Sequence, residues 1–306
     1  MPFEVVERVL AECSPHQPVV DFIGGEPLLY PHLVNAVELA SQRNVLAAVT
    51  TNGLQLKATA EAFVRAKLPL LQVSLDGWDE VSQAARGGVK SSFERLCDGV
   101  RAVQEVRGPR PFPIIRILTT ITRVNYSHLD RIQTVIAKLG VRYWGISNYF
   151  YLNRHAHERH QAFALFHGLS GPVVAHPIAD DVYLAPDPVR DLKSCLQRVR
   201  QLNRRLGLGI AYAWKIELEK YYSIREASRS CVCELPFTRL DIQTDGRMAV
   251  CVSGKQVGQV GRDSIAAAWR GRLMARYRQM YERTRPMPMC FRCCGLSQSI
   301  KFDRRE

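Results

Sequence analysis

Two groups of residues in this 306-residue chain have types and spacings that chemistry can use. The first is Gly24-Gly25-Glu26-Pro27, which follows a short apolar run and precedes a helical pattern. Two glycines let a ligand approach the backbone, Glu26 can accept hydrogen bonds from an ammonium group, and Pro27 fixes how the chain leaves the loop. A phosphate cradle fits poorly, because no GxxxxGK motif follows and an acid at the heart of the loop repels an anion. The second group is cysteine. Of nine, Cys231, Cys233, Cys251, Cys290, Cys293 and Cys294 fall in the last quarter, while Cys13, Cys97 and Cys195 are scattered. Close spacings such as CxC and CxxCC, in a chain with no secretory segment, favour metal over disulfides. Thiolates from a hairpin and a CxxC knuckle can surround one tetrahedral ion or one four-iron cluster, so on these residues alone zinc and iron–sulfur both stand.

Such groups need elements to hold them. From Pro18 onward, apolar runs of strand length alternate with segments of helical period: PVVDFIGG, PHLVNAVELASQRN, VLAAVTTNG, LKATAEAFVRAKL, PLLQVSLDG. The series continues with a helix at SFERLCDGVRAVQEV, a strand at PIIRILTTIT, a helix at YSHLDRIQTVIAKLG and a strand at VRYWGISN. Strands apolar on both faces and separated by amphipathic helices predict an α/β fold with a parallel sheet wrapped by helices. In such folds the site lies where the carboxyl ends of the strands meet their loops. That gathers the glycine loop with Thr50-Thr51-Asn52-Gly53, Ser74-Leu75-Asp76-Gly77, Thr119-Thr120 and Ser147-Asn148.

Past residue 150 the order loosens into a His-rich helix, RHAHERHQAFALFHG, an irregular Pro-containing stretch, a helix from about Val189 to Leu206 and a last strand at LGIAYAW. Short strands around TRLDIQTDGRMAVCV follow Cys231, with Asp245-Gly246 as a hairpin turn. A boundary near residue 225 is expected, dividing 1–225 from 226–306. His155, His157 and His160 do not share one helical face and read as a solvated helix rather than a metal site. Cys97 reads as a small buried hydrophobe, and the aromatics of Tyr149 to Asn153 as packing beside a strand end.

The formal charge of +13 comes from 42 Lys and Arg against 29 Asp and Glu, with much of the arginine between Trp269 and Arg285. A solvated helix face over core residues Leu273, Met274, Tyr277 and Met280 accounts for that run, and charge balance alone does not specify nucleic acid as a partner. No stretch of eighteen apolar residues exists to span a bilayer, and residues 1–13 lack the features of a signal peptide, so a cytoplasmic location without membrane is the expectation.

GGEP, TTNG and SLDG at successive strand ends, then ARGG and SFERLCDGV, resemble the core of the radical SAM enzymes over roughly residues 3 to 150. The resemblance implies a partial (β/α)6 TIM-like barrel that binds S-adenosylmethionine. Gly24, Gly25 and Glu26, closed by Pro27, would meet the methionine amino group. Thr51 and Asn52 would line the same cleft, and Ser74 and Asp76 would lie near the ribose. C-x12-G-x4-C from Cys233, with CxxC downstream, resembles the auxiliary-cluster domain of the same enzymes, in its shorter twitch form rather than the full SPASM form. That implies one auxiliary [4Fe-4S] cluster on Cys233, Cys251, Cys290 and Cys293, with Cys231 and Cys294 as alternates. With both signatures in one chain, iron–sulfur leads zinc.

The pattern departs from the family in one respect. Members carry CxxxCxxC upstream of GGEP, where this sequence has only Cys13, and MPFEVVERVLAEC resembles the first helix of the barrel. The expectation is an amino-truncated version of a longer enzyme, lacking the first strand, with Met1 an internal methionine. A second, catalytic [4Fe-4S] cluster is implied only if the upstream segment exists. By resemblance the complete enzyme would take an electron from a donor such as flavodoxin or ferredoxin and cleave S-adenosylmethionine. The resulting radical would remove a hydrogen atom from a peptide or small-molecule substrate. The rival expectation is a non-catalytic barrel-derived scaffold, stabilised by iron–sulfur or zinc, that binds a peptide or protein.

Overall fold

Six strands line up in the order in which they occur along the chain: β1 (Val19–Phe22), β2 (Leu46–Thr51), β3 (Leu70–Ser74), β4 (Ile114–Ile121), β5 (Tyr143–Asn148) and β6 (Gly209–Ala213). The protein is represented by a computed structural model describing residues 1–85, 91–169, 184–213, 218–222, 233–251 and 255–293. Pairing from β1 to β4 is parallel, with Asp21 opposite Ala48, Thr50 opposite Gln72, and Gln72 opposite Arg116. The order rises without the reversal that marks a doubly wound sheet, which is the arrangement of a partial TIM-like barrel. The sequence expectation holds here, including the last strand at LGIAYAW.

Alternation along each strand sorts side chains onto two faces. Ala47, Val49, Leu71, Val73, Ile115, Ile117 and Ile146 are buried. Above them pack the apolar stripes of helices Leu33–Gln42, Leu56–Arg65, Ser92–Arg107 and Leu129–Lys138. These stripes include Ala36, Val37, Phe63, Leu96, Val100, Ile132 and Ile136, all fully buried, so the hydrophobic effect seats the helices on one side of the sheet. Cys97 is buried among them, as expected of a small hydrophobe. On the opposite, more open face stand Asp21, Thr50, Gln72, Ser74, Arg116 and Thr120.

Two devices brace the loops of this sheet. Glu80 reaches across the chain to accept from the backbone amides of Ser92 (2.8 Å) and Phe93 (2.9 Å), capping helix Ser92–Arg107 from outside. Gly99, within that helix, lets it press on the TTNG loop: a Cβ there would come within 2.8 Å of Leu56 Cβ and 3.3 Å of the Gly53 carbonyl.

The tail holds a small antiparallel sheet of β7 (Asp241–Ile242), β8 (Arg247–Val250) and β9 (Lys255–Gln259). Asp245-Gly246 forms the anticipated turn, with Gly246 at φ +83°. Helices Ile265–Arg270 and Arg272–Thr284 follow. On the second, Met274, Tyr277 and Tyr281 are buried whereas Leu273 is exposed. The core stripe thus runs 274, 277, 281, a helical i, i+3, i+7 face, and not through Leu273 and Met280 as composition suggested. In helix Arg154–Phe166, His155 is exposed but His160 is buried, so the solvated reading fails for that residue.

Chain segments group into two compact units that interleave in sequence, one from 13–147 with 190–212, the other from 1–12, 148–189 and 213–306. Within the second, Glu12 at the end of helix Phe3–Cys13 accepts from the backbone amide of Ile265, the first residue of helix Ile265–Arg270. No helix among the described residues is long and apolar enough to cross a membrane.

Candidate functional site

Glu26 stands where β1 ends, as the residue preceding a 3-10 turn, Pro27–Leu29, whose first position is the proline that suits it. Its carboxylate is fixed from two loops. Oε1 accepts from the Leu28 amide (3.0 Å) and the Thr51 hydroxyl (2.6 Å), and Oε2 from the Asn52 amide (2.8 Å). A carboxylate offers about four acceptor positions, so three donors hold this one rigid and leave one position on Oε2 for a fourth. Thr51 is buried and also accepts from Gly53 N (3.0 Å), so its hydroxyl serves to aim Glu26. Asn52 contributes its amide while its side chain turns back to Leu54 N (2.9 Å).

Beside this carboxylate the two glycines keep space open. A Cβ built on Gly24 or Gly25 meets nothing within 4 Å, and Gly24 sits at φ +153°, where other residues are strained. A ligand with a primary ammonium therefore finds an acceptor and a clear approach. S-adenosylmethionine carries such a group, and the residues present fit it.

Ser74 and Asp76, paired in the sequence reading, part company. Ser74 ends β3 on the open face, half-buried. Asp76 is only 4% exposed. Its Oδ1 accepts from Thr120 N (2.6 Å) and its carbonyl from Asn125 Nδ2 (2.8 Å), which ties the SLDG loop to β4. Asn125 accepts in turn from Thr122 N (2.7 Å). This brace escaped the sequence reading, although an Asn four residues beyond the strand end was its visible trace.

Of the expected metal ligands, Cys233, Cys290 and Cys293 are buried and Cys251 is partly exposed, all free of disulfides, while Cys231 and Cys294 lie outside the described residues. Burial pushes the Cys290 thiol up, with the neighbouring Cys251 and Cys233 adding to the shift. Cys290 thus lies within electrostatic reach of both Cys251 and Cys233, and among the described residues no three His, Cys, Asp or Glu side chains are grouped to hold one metal ion. Four thiolates are the ligand set of either one tetrahedral zinc ion or one four-iron cluster, so these residues fit both. Cys13 is buried and is the one cysteine of this sequence upstream of the glycine loop, so the residues of this chain do not by themselves supply three thiolates to a cluster facing Glu26.

Residues 1–135 match the family described as the Radical SAM superfamily, and residues 231–294 the SPASM family, described as an iron-sulfur cluster-binding domain. Over 123 residues the chain is 32% identical to mycofactocin maturase MftC of Mycobacterium tuberculosis (strain H37Rv), a match covering 40% of this chain and 30% of that protein. The same fold occurs in Streptococcus suis SuiB bound to its precursor peptide SuiA. The TM-score there is 0.59 at 18% identity, over 95% of this chain and 60% of that one. It also occurs in anSMEcpe with bound AdoMet, with a TM-score of 0.62 at 14% identity, over 98% and 79% of the two chains.

Proposed function

We propose that this chain, whose residues 1–135 match the Radical SAM superfamily and 231–294 an iron-sulfur cluster-binding SPASM domain, is a peptide-modifying maturase whose barrel binds S-adenosylmethionine at the GGEP loop. One observation carries this reading: Glu26, locked by Leu28, Thr51 and Asn52, keeps a single acceptor position beside the open glycines. S-adenosylmethionine held here would supply hydrogen-abstracting radical chemistry once a reduced cluster faced it, and Cys13 alone would not hold that cluster. The work of these residues is to hold and aim. Glu26 takes the ammonium, Gly24 and Gly25 admit the methionine moiety, and Ser74 offers its hydroxyl to the ribose. Asp76 acts through the loop, by fixing it to β4. A one-electron donor such as flavodoxin or ferredoxin is the partner such chemistry requires. Cys233, Cys251, Cys290 and Cys293 would hold one auxiliary [4Fe-4S] cluster, in a tail domain spanning about 226–306. Peptide as the substrate class is supported by the peptide-bound SuiB structure and by the maturase relative.

Equilibrium binding of S-adenosylmethionine to the anaerobically prepared protein tests the reading. Glu26→Gln keeps the shape but removes the charge, and an at least tenfold loss of affinity is expected. Equal affinity in the variant would sink the assignment of the loop. A barrel that binds peptide but no S-adenosylmethionine at all would favour the scaffold alternative.

A further inference from the structure

Four polar side chains share the open face of the sheet below the strand ends: Asp21 on β1, Thr50 on β2, Gln72 on β3 and Arg116 on β4. Three of them satisfy one another. Thr50 Oγ1 donates to Asp21 (3.1 Å), and Gln72 Nε2 donates to Thr50 Oγ1 (2.9 Å) and reaches Asp21 (3.4 Å). Arg116, directly opposite Gln72, is half-buried and makes no hydrogen bond or ion pair with any described residue. Its surroundings are nevertheless shaped around it. A Cβ on Gly145 of β5 would come within 2.6 Å of Arg116 Nη2, 2.8 Å of Leu118 Cδ2 and 3.0 Å of Arg116 Nε, so glycine at that position makes room for the guanidinium and for Leu118 alike.

A guanidinium keeps its charge and has five donors and no acceptor, so partial burial without a partner is unfavourable until an anion arrives. Its planar fork matches a carboxylate in two parallel hydrogen bonds. Two candidate carboxylates exist, that of the methionine moiety and that of a substrate. The methionine carboxylate shares one carbon with the ammonium assigned to Glu26, at the end of β1. Arg116 stands three strands away, about 14 Å along the sheet, and two residues, about 6.6 Å, below the level of Ser74, which pairs with Leu118. That separation favours the carboxylate of a substrate over that of the cofactor.

We propose that Arg116 binds a carboxylate of the peptide substrate on the floor of the cleft, with Gly145 clearing space for it. This specificity assignment rests on the reading of the cleft above it. Three short peptides serve as probes: N-acetyl-Ala-Glu-Ala-amide, its Gln counterpart, and N-acetyl-Ala-Ala with a free terminal carboxylate. Binding to the full chain is measured by ligand-observed NMR at physiological ionic strength. At least one acidic probe should bind at least tenfold more tightly than the Gln peptide, and which one does identifies the carboxylate as side-chain or chain-terminal.

Arg116→Met should abolish that preference, Arg116→Lys should keep part of it, and S-adenosylmethionine affinity should be unchanged in both. Since Arg116→Met removes one of 42 Lys and Arg, attraction by the general surface charge would barely fall. A melting temperature for Arg116→Met equal to or above that of the parent is expected of a charge kept for binding, and a marked drop would assign it a structural role instead. The proposal is overturned if acidic and neutral probes bind alike, if Arg116→Met retains the preference, or if that variant loses S-adenosylmethionine. Failure of the parent protein to bind S-adenosylmethionine would instead overturn the reading of the glycine loop.

Discussion

Ser74 and Asp76 lie two residues apart, yet the first is half-buried on the open face and the second is 4% exposed. Asp76→Ala removes the acceptor of the part-buried Thr120 amide and should cost about 1–3 kcal/mol in urea denaturation. Ser74→Ala should leave stability within about 0.5 kcal/mol and weaken S-adenosylmethionine binding several-fold. The reverse pattern would return the ribose to Asp76. His160 carries a different consequence. It is 1% exposed, neither ring nitrogen has a hydrogen-bond partner among the described residues, and burial, helped by His157, holds its pKa down to about 4. Because the unfolded chain binds the proton more readily, stability is full above pH 6.5 and falls as pH drops toward about 4, by up to roughly 3 kcal/mol. His160→Leu should flatten that slope in chemical denaturation at several pH values. A residue's type names its chemistry but not its depth, and so the sequence revealed GGEP and the cysteines but not the burial of His160 or Asp76.

Elements were more legible. Hydrophobic period alone located all six strands of the barrel and the helices between them, because burial of one stripe per helix is a local pattern. What periodicity lacks is the long-range brace. Glu80 caps a helix that starts twelve residues later, across a segment that holds no periodic signal. Glu80→Ala should destabilise the barrel by about 1–2 kcal/mol, read as a lower urea midpoint with an unchanged slope. If the midpoint did not move, solvent would already be satisfying the Ser92 and Phe93 amides. Gly99 was visible as a residue but not as a contact, since only the folded chain brings Leu56 and the Gly53 carbonyl against it. The same holds for Arg116, whose place in PIIRILTTIT reads as ordinary strand alternation until Gly145 is seen beneath it.

For the molecule as a whole, composition set the class and left the grouping of segments open. Residues 1–12 join the compact unit that contains the tail, through contacts such as Glu12 with Ile265. No sequence pattern links residues 253 positions apart. The cysteine-bearing tail makes a prediction at this scale. Protein prepared anaerobically should contain iron and acid-labile sulfide rather than zinc, and Cys290→Ser should lose both. Zinc in their place would remove the cluster.

Cys251 closes β8 with its backbone in the left-handed region, at φ +59°, a conformation that costs roughly 1–2 kcal/mol for residues other than glycine. Glycine would ease the turn but bring no sulfur. A cluster held by Cys251, as proposed, would offset that cost, and iron supply would then become a folding variable for this region. In iron-starved cells the hairpin should be the first segment to open to proteases, so the lifetime of the protein would report the iron status of the cell.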